Sequence, residues 1–146
     1  MTFIQALYGS QYFELVQKGR DGSKGRFNSN IFLAAFIFLV LVTVIALTVT
    51  ISPHLSRRFN SFAEHFAGSN SGKETGMLLA IPVMAICYFF VSKTVGTQKN
   101  YFKIIDEFKL LPDDVKSKAN KKILAPFFIV LIIFFGLLMS SLFINR

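Results

Sequence analysis

Two histidines and a glutamate lie in one polar segment of the chain. His54, Glu64 and His65 carry the kinds of side chain from which proteins build zinc sites. Eleven positions separate the two histidines, so on a single helix they would lie roughly 16 Å apart along the axis, too far to bind one metal ion together. We therefore predict that both histidines are solvated and bind no metal. A proton-sensitive contact between a histidine and a partner is the alternative.

A glycine-containing sequence, GSNSGKET at residues 68–75, has some features of a phosphate-binding loop. Only three residues separate Gly68 from Gly72, and Glu74 replaces the Ser or Thr that would bind magnesium. The segment GRDGSKGRFNS at residues 19–29 lacks the glycine spacing of both dinucleotide-binding and P-loop motifs. The sequence therefore predicts no nucleotide site.

The remaining reactive residues fit structural roles better than catalytic ones. Cys87 lies inside an apolar run and is expected to be a small packing residue. Asp113 and Asp114 follow Pro112, a sequence typical of a helix start, since acidic side chains favour the positive end of the helix dipole. No combination of nucleophile, histidine and acid has hydrolase spacing. We therefore predict no metal and no cofactor, and we do not expect an enzyme.

Long apolar runs indicate which elements position these residues. Apolar residues make up 53% of the chain and charged residues only 16%, against about 25% in soluble domains. Three runs have about the length that a ~30 Å hydrocarbon core requires. We predict an all-α integral membrane protein with three transmembrane helices at residues 31–52, 76–97 and 123–144. No cleavable signal peptide is expected, because residues 1–29 contain no continuous apolar run.

Segments outside the spans also have helical periodicity. Residues 1–18 predict an amphipathic helix that lies in the membrane interface or packs on a partner subunit, and residues 19–29 predict a flexible linker. Residues 1–29 are therefore separated from a transmembrane domain at 30–146. A further amphipathic helix is expected between residues 55 and 66. Residues 98–122 predict a helical hairpin whose arms meet near Pro112 and extend the second and third spans as an antiparallel pair.

The basic residues predict an orientation. Eleven of the sixteen lie in the N-terminal segment or in the loop between the second and third spans, Lys93 lies at the same end of the second span, and four lie on the other side. Since loops rich in lysine and arginine stay in the cytoplasm, we predict a cytoplasmic N-terminus and an outside C-terminus in the plasma (inner) membrane. The net charge of +8 then favours anionic lipids as partners over nucleic acid. The expected head-group contacts are Lys116, Lys118, Lys121 and Lys122.

The spans also limit the function. They contain no Asp, Glu, His or Arg, the groups that ion-coupled carriers keep at membrane depth, and Lys93 lies near a helix end. The leading hypothesis is a small accessory or structural subunit that anchors or stabilises a larger membrane protein complex. Its expected contacts with other integral membrane subunits are Leu7, Leu15, Tyr101, Ile104, Ile105 and Phe108.

Two other functions stay open at this point. Several copies could form a pore or a transporter component, lined by hydroxyl side chains of the first and third spans. These are Thr43, Thr48, Thr50, Ser140 and Ser141. The second alternative is a membrane enzyme that acts on lipid head groups.

Cysteine labelling tests the predicted orientation. In a Cys87→Ser background, we expect Ser71→Cys to react with a membrane-impermeant maleimide in intact cells. Ser117→Cys should react only after the membrane is opened, because it lies among the lysines of the cytoplasmic loop. The reverse pattern would show that the chain is inserted the other way round.

Overall fold

The computed structural model describes residues 1–52 and 72–144, together with residues 54, 57, 58, 61 and 65. Side chains are described for all of these except residues 72–79 and 141–144. The predicted helix at residues 55–66 therefore lies largely outside the described residues, as does Glu64. The described part of the chain is helical and contains no strand.

Residues 1–52 and 72–144 form six α-helices and one short 3-10 turn, joined by short connections. The first helix, α1, spans Phe3–Gln17, and the 3-10 turn spans Gly22–Lys24. The long apolar helices are α2, Gly25–Ile51; α3, Gly72–Lys93; and α6, Ala119–Ile144. Two shorter helices, α4 and α5, connect the last two and span Gln98–Lys109 and Asp113–Lys116.

Two of the long helices are long and apolar enough to cross a membrane, namely α2 and α6. The part of α3 whose side chains are described, Ala80–Lys93, is long and apolar enough only together with α4, and those two helices meet at an angle of 68°. By length and composition, the chain is an all-helical membrane protein with two or three helices able to span the bilayer.

The first long helix begins earlier than the sequence predicted. The Asp21 carboxylate accepts a hydrogen bond from the Ser23 backbone N–H at 2.9 Å and caps the 3-10 turn, which continues directly into α2. The prediction of a flexible linker is therefore wrong for residues 22–29, which are helical. The actual connection between α1 and α2 is short and begins at Gly19, whose φ of 66° ends α1 in the left-handed conformation.

Helix α1 folds back along α2 as its antiparallel neighbour. The rings of Phe3 and Phe36 lie 5.3 Å apart, Tyr8 contacts Asn30, and the backbone near Gln11 lies close to Gly25. Phe36 lies six residues after Asn30 in α2, which at about 1.5 Å per residue is roughly 10 Å further along the helix axis. The start of α1 therefore lies beside this part of α2. This arrangement differs from a helix lying on the membrane surface, and it places α1 along the first third of the predicted span.

Helix α1 is also enclosed on several sides. It packs against α2, α4 and α6, and four consecutive residues, Ala6, Leu7, Tyr8 and Gly9, are buried. Four successive positions of a helix point in all directions around its axis. The prediction of an amphipathic α1 with one polar face is therefore wrong for this part of the helix.

The predicted hairpin at residues 98–122 is replaced by a bent connection. Helix α3 ends at Lys93, where the Gly96 N–H donates to the Val91 carbonyl at 2.8 Å and turns the chain. Thr97 then caps α4. Helix α4 packs against α1, and the returning segment is divided into α5 and α6. The second and third spans therefore do not continue as a straight antiparallel pair.

Candidate functional site

The most highly connected region lies where α1, α2, α4 and the turn after α3 meet. We call residues 1–30 and 94–118 the helical cap, because they lie together at one end of the long helices. Helix α2 begins in the cap, α3 ends at it, and α6 leaves from it through the buried residues Ala119 and Ile123. The cap holds most of the chain's described buried side chains.

The Asn30 side chain links three segments of the cap. Its Oδ1 accepts a hydrogen bond from the Tyr8 hydroxyl of α1 at 2.6 Å, and its Nδ2 donates to the Gly96 carbonyl at 3.2 Å. All three residues are buried. A buried amide without partners is costly, whereas here both ends of the amide are used. These bonds fix α1 and the turn after α3 to the start of α2.

A second tyrosine fixes α4 to the same place. The Tyr101 hydroxyl donates to the Gly22 carbonyl at 2.8 Å, and its ring packs edge-on against Tyr8 with 5.6 Å between centroids. Burial raises the pKa of Tyr8 to about 12, against a smaller opposing effect of the Arg26 charge, and burial also raises the pKa of Tyr101. Both phenols are therefore protonated at neutral pH and act as donors.

Glycines make this close packing possible. A side chain at Gly9 would overlap the Phe108 ring, and one at Gly96 would overlap the Asn30 amide. At Gly25 an added Cβ would lie 2.7 Å from the Tyr101 hydroxyl and 3.3 Å from the α1 backbone at Gln11. At all three glycines an added Cβ would lie less than 3.0 Å from a side-chain atom of another segment, so the helices approach as they do because no side chain is present.

Gly22, Gly25 and Ser29 form one face at the start of α2. They are spaced three and four residues apart, and all are buried. The Ser29 hydroxyl has no hydrogen-bond partner among the described residues, although it is fully buried. Its small size suits the same close contact as the glycines, but nothing in the structure explains the hydroxyl.

The cap also concentrates the charge of the protein. Twelve of the sixteen basic residues lie in it or within four residues of it, together with six of the eight acidic residues. The ion pairs of the described residues are local ones at i+3 or i+4, such as Lys18 with Glu14 at 2.5 Å and Lys109 with Asp106 at 3.2 Å. Exposed pairs of this kind contribute little to stability. Several cations are left available for contacts outside the chain.

The lysines predicted to contact lipid head groups lie around the start of α6. Lys118, Lys121 and Lys122 are exposed, and Lys116 is half-buried, with its ammonium 3.3 Å from the Asp113 carboxylate. The aromatic contacts of Phe127 with Phe32 and Phe36 put these lysines near the beginning of the apolar part of α2. The contact of these four lysines with lipid head groups stays a prediction.

The residues predicted to contact a partner divide into two groups. Leu7, Tyr101, Ile105 and Phe108 are buried among the chain's own helices. Much of the apolar face of α4 is thus covered by α1. Leu15 and Ile104 remain partly exposed, and a partner contact for them stays a prediction.

The described structure offers little acid–base or metal chemistry. No group of three or more His, Cys, Asp or Glu side chains is arranged to hold a metal among the residues described. His54 and His65 are exposed, and Cys87 is buried as a free thiol. The hydroxyls of Thr43, Thr48 and Thr50 each donate to their own helix four residues back, at 2.7–2.8 Å.

The remaining predicted pore residues are at the far end of α6. The Ser140 hydroxyl donates to the Leu137 carbonyl at 2.9 Å, and the Ser141 side chain lies outside the described residues. The hydroxyls of Thr43, Thr48, Thr50 and Ser140 are therefore used within their own helices.

Comparison of this chain with protein families, with characterised proteins and with solved structures finds no match. The functional argument therefore rests on the chain's own geometry.

Sequence reasoning missed the two residues at the centre of the cap, Tyr8 and Asn30. A weak signal was present, because Asn30 is a polar residue at the very edge of an apolar run. The small residues Gly22, Gly25 and Ser29 before it have helical spacing. Glycine clusters also occur in linkers, and only the folded contacts distinguish the two cases.

Replacing Asn30 tests the central contact. Asn30→Leu removes the amide and leaves the buried Tyr8 hydroxyl without its acceptor, which should cost about 1–3 kcal/mol. Thermal unfolding of the detergent-purified protein should show a lower midpoint. Tyr8→Phe with Asn30→Leu should cost less than the sum of the single changes, since the hydroxyl left unpaired is also removed. Thr48→Val is the matched control, because its hydroxyl bonds only to its own helix. Equal effects of Asn30→Leu and Thr48→Val would contradict this role.

Proposed function

We propose that this protein is a small accessory or structural subunit of a larger membrane protein complex. In this proposal α2, α3 and α6 cross the plasma (inner) membrane, with the N-terminus and the cap on the cytoplasmic side and the C-terminus outside. The cap is a rigid base that fixes the spacing of the membrane helices, and their outer faces contact other integral membrane subunits. The Asn30 amide and the phenols of Tyr8 and Tyr101 serve the packing of the cap itself.

The exposed surface of the long helices is the observation that carries this proposal. Large apolar side chains face outward along α3 and α6, among them Ile81, Ile86 and Ile132, each at least 66% exposed. In a membrane such faces are covered by lipid or by other helices. At Gly136 of α6, an added Cβ would meet no described atom within 4 Å, so the backbone is open to a close neighbour.

Support also comes from what the described polar side chains do. The threonine hydroxyls of α2 bond within that helix, the amide and phenols of the cap join its own segments, and four lysines pair locally. A structural role uses polar groups in this way. Lys118, Lys121 and Lys122, with Lys116 beside them, then face anionic head groups and hold the cap at the membrane surface.

The alternative is a homo-oligomeric pore or transporter component, and a membrane enzyme acting on head groups is a second alternative. A pore would need the hydroxyls of α2 and α6 to face a common channel. The particle extracted from membranes distinguishes these cases. Different subunits in fixed stoichiometry support the accessory role, and a closed ring of identical chains supports the pore. Turnover of lipid by the purified chain would support the enzyme.

The open face of α6 provides a direct test. Gly136→Leu should prevent close approach of a neighbouring helix and reduce the amount of stoichiometric partner subunit that co-purifies by about tenfold, an effect of roughly 1.4 kcal/mol. Ala85→Leu introduces the same side chain at an exposed position of α3 and should have a smaller effect. Membrane insertion of both variants should be normal. A wild-type protein that purifies from mild detergent without any stoichiometric partner would contradict the accessory role.

A further inference from the structure

A groove of about 670 Å³ lies on the outside of the cap, where the 3-10 turn passes into α2. The last turn of α1 contributes Leu15 to one wall, and the other lining residues are Arg20, Asp21, Lys24, Phe27 and Asn28. The apolar run of α2 begins three residues after Asn28. The groove is therefore located where a membrane-inserted α2 would pass from the head-group layer into hydrocarbon.

The charges in this groove favour an anionic ligand. Neither Arg20 nor Lys24 forms an ion pair with a described residue. The one acid, Asp21, accepts hydrogen bonds from the Ser23 N–H at 2.9 Å and from the Ser23 hydroxyl at 2.6 Å, and these bonds lower its pKa. The guanidinium and ammonium groups thus keep their hydrogen-bond donors available, and phosphate oxygens are the acceptors that they bind best.

The groove also has an apolar side. Phe27 is 57% exposed, and Ile31, one turn further along α2, is 39% exposed. Residues four apart lie on the same face of a helix, so these two side chains form a continuous apolar track leading away from Arg20 and Lys24. A free phosphate ion would make no use of such a track, whereas a lipid acyl chain would lie along it.

We propose that this groove binds one anionic phospholipid. Arg20 and Lys24 hold its phosphate, the Asn28 amide donates a further hydrogen bond to the head group, and an acyl chain follows Phe27 and Ile31 into the membrane. This inference rests on membrane insertion of α2 and is independent of the accessory role. The lipid fixes the junction of α1 and α2 at the head-group level.

Another groove in the cap shows the contrast. It has a volume of about 530 Å³ and lies between α1 and the segment that includes α5. Its charged residues Glu14, Asp113 and Lys116 are all engaged, Glu14 with Lys18 and Asp113 with Lys116. Lys118, Lys121 and Lys122 at the start of α6 are exposed and do not line either groove. The groove at Arg20 thus combines a cavity with basic side chains that form no ion pair with a described residue. This combination differs from the general attraction of a basic surface to an anionic membrane.

Binding of phosphatidylglycerol to the full-length, delipidated protein in neutral detergent tests this proposal, with phosphatidylcholine as the reference lipid and native mass spectrometry as the readout. Arg20→Gln with Lys24→Gln should weaken phosphatidylglycerol binding about tenfold or more, since each basic group near an anionic head group contributes to affinity. The matched control, Lys99→Gln with Lys103→Gln, removes the same charge from exposed positions of α4 outside the groove and should change binding less than twofold. Asp21→Asn keeps the cap acceptor, removes the one negative charge, and should strengthen binding.

Three results would overturn the proposal. Equal losses in the two double variants would mean that the basic surface acts as a whole. Displacement of phosphatidylglycerol by millimolar inorganic phosphate would make the groove a site for free phosphate. Unchanged binding after Phe27→Ser would remove the acyl track, because the expected result is a loss of affinity for the lipid and none for phosphate.

Discussion

The close contact of α1 with α2 and α4 is the constraint on which the rest of the cap depends. It requires glycine at residues 9, 25 and 96, where any side chain would overlap Phe108, Tyr101 or Asn30. The helices are then near enough for the Tyr8 hydroxyl to reach Asn30 and for the Asn30 amide to reach Gly96. In a protein whose long helices bury little against one another, this contact supplies most of the described core.

This contact also explains why α4 leaves the direction of α3. The apolar face of α4 carries Tyr101, Ile105 and Phe108, which are buried beside α1. A straight continuation of α3 would carry that face away from α1. The fold would then lose the stabilisation from burial, about 1.5–3 kcal/mol for each large apolar side chain. The 68° bend brings the face back onto α1, and Thr97 caps the new helix. The position of α6 follows, since its first turns pack on α1 and α2.

The parts of this fold that follow from periodicity were predictable from the sequence. The apolar runs gave helical membrane segments, and the spacing of Tyr101, Ile105 and Phe108 gave the buried face of α4. The sequence-based prediction was wrong where one residue type has two structural roles, as glycine has in flexible linkers and at close helix contacts. Glycine at residues 22 and 25 was assigned to a flexible linker, although in this chain it permits helix contact. Gly9 lies inside the predicted first helix, where glycine lowers helix stability, but in the fold it provides the space for Phe108.

The bend after α3 and the central amide were not predictable for a related reason. No proline marks residues 94–97, and the turn is made by a backbone hydrogen bond from Gly96 to Val91 that has no sequence signature of its own. Asn30 could equally have been a polar residue at the membrane boundary. Its partners Tyr8 and Gly96 are 22 and 66 residues away. Only the packing of distant segments identifies it as the centre of the cap.

Hydrogen exchange on the full-length protein in nanodiscs tests the central claim most directly, namely that α1 is an integral part of the fold. A 15-residue helix exposed to solvent is marginal in water and exchanges rapidly. A helix enclosed by α2, α4 and α6 opens only with the surrounding structure. The account predicts slow exchange of the α1 amides between residues 6 and 16, with α4 protected to a similar degree, and Gly9→Leu should speed exchange in both helices together. Complete exchange of α1 within seconds, while α2 and α4 stay protected, would contradict the account.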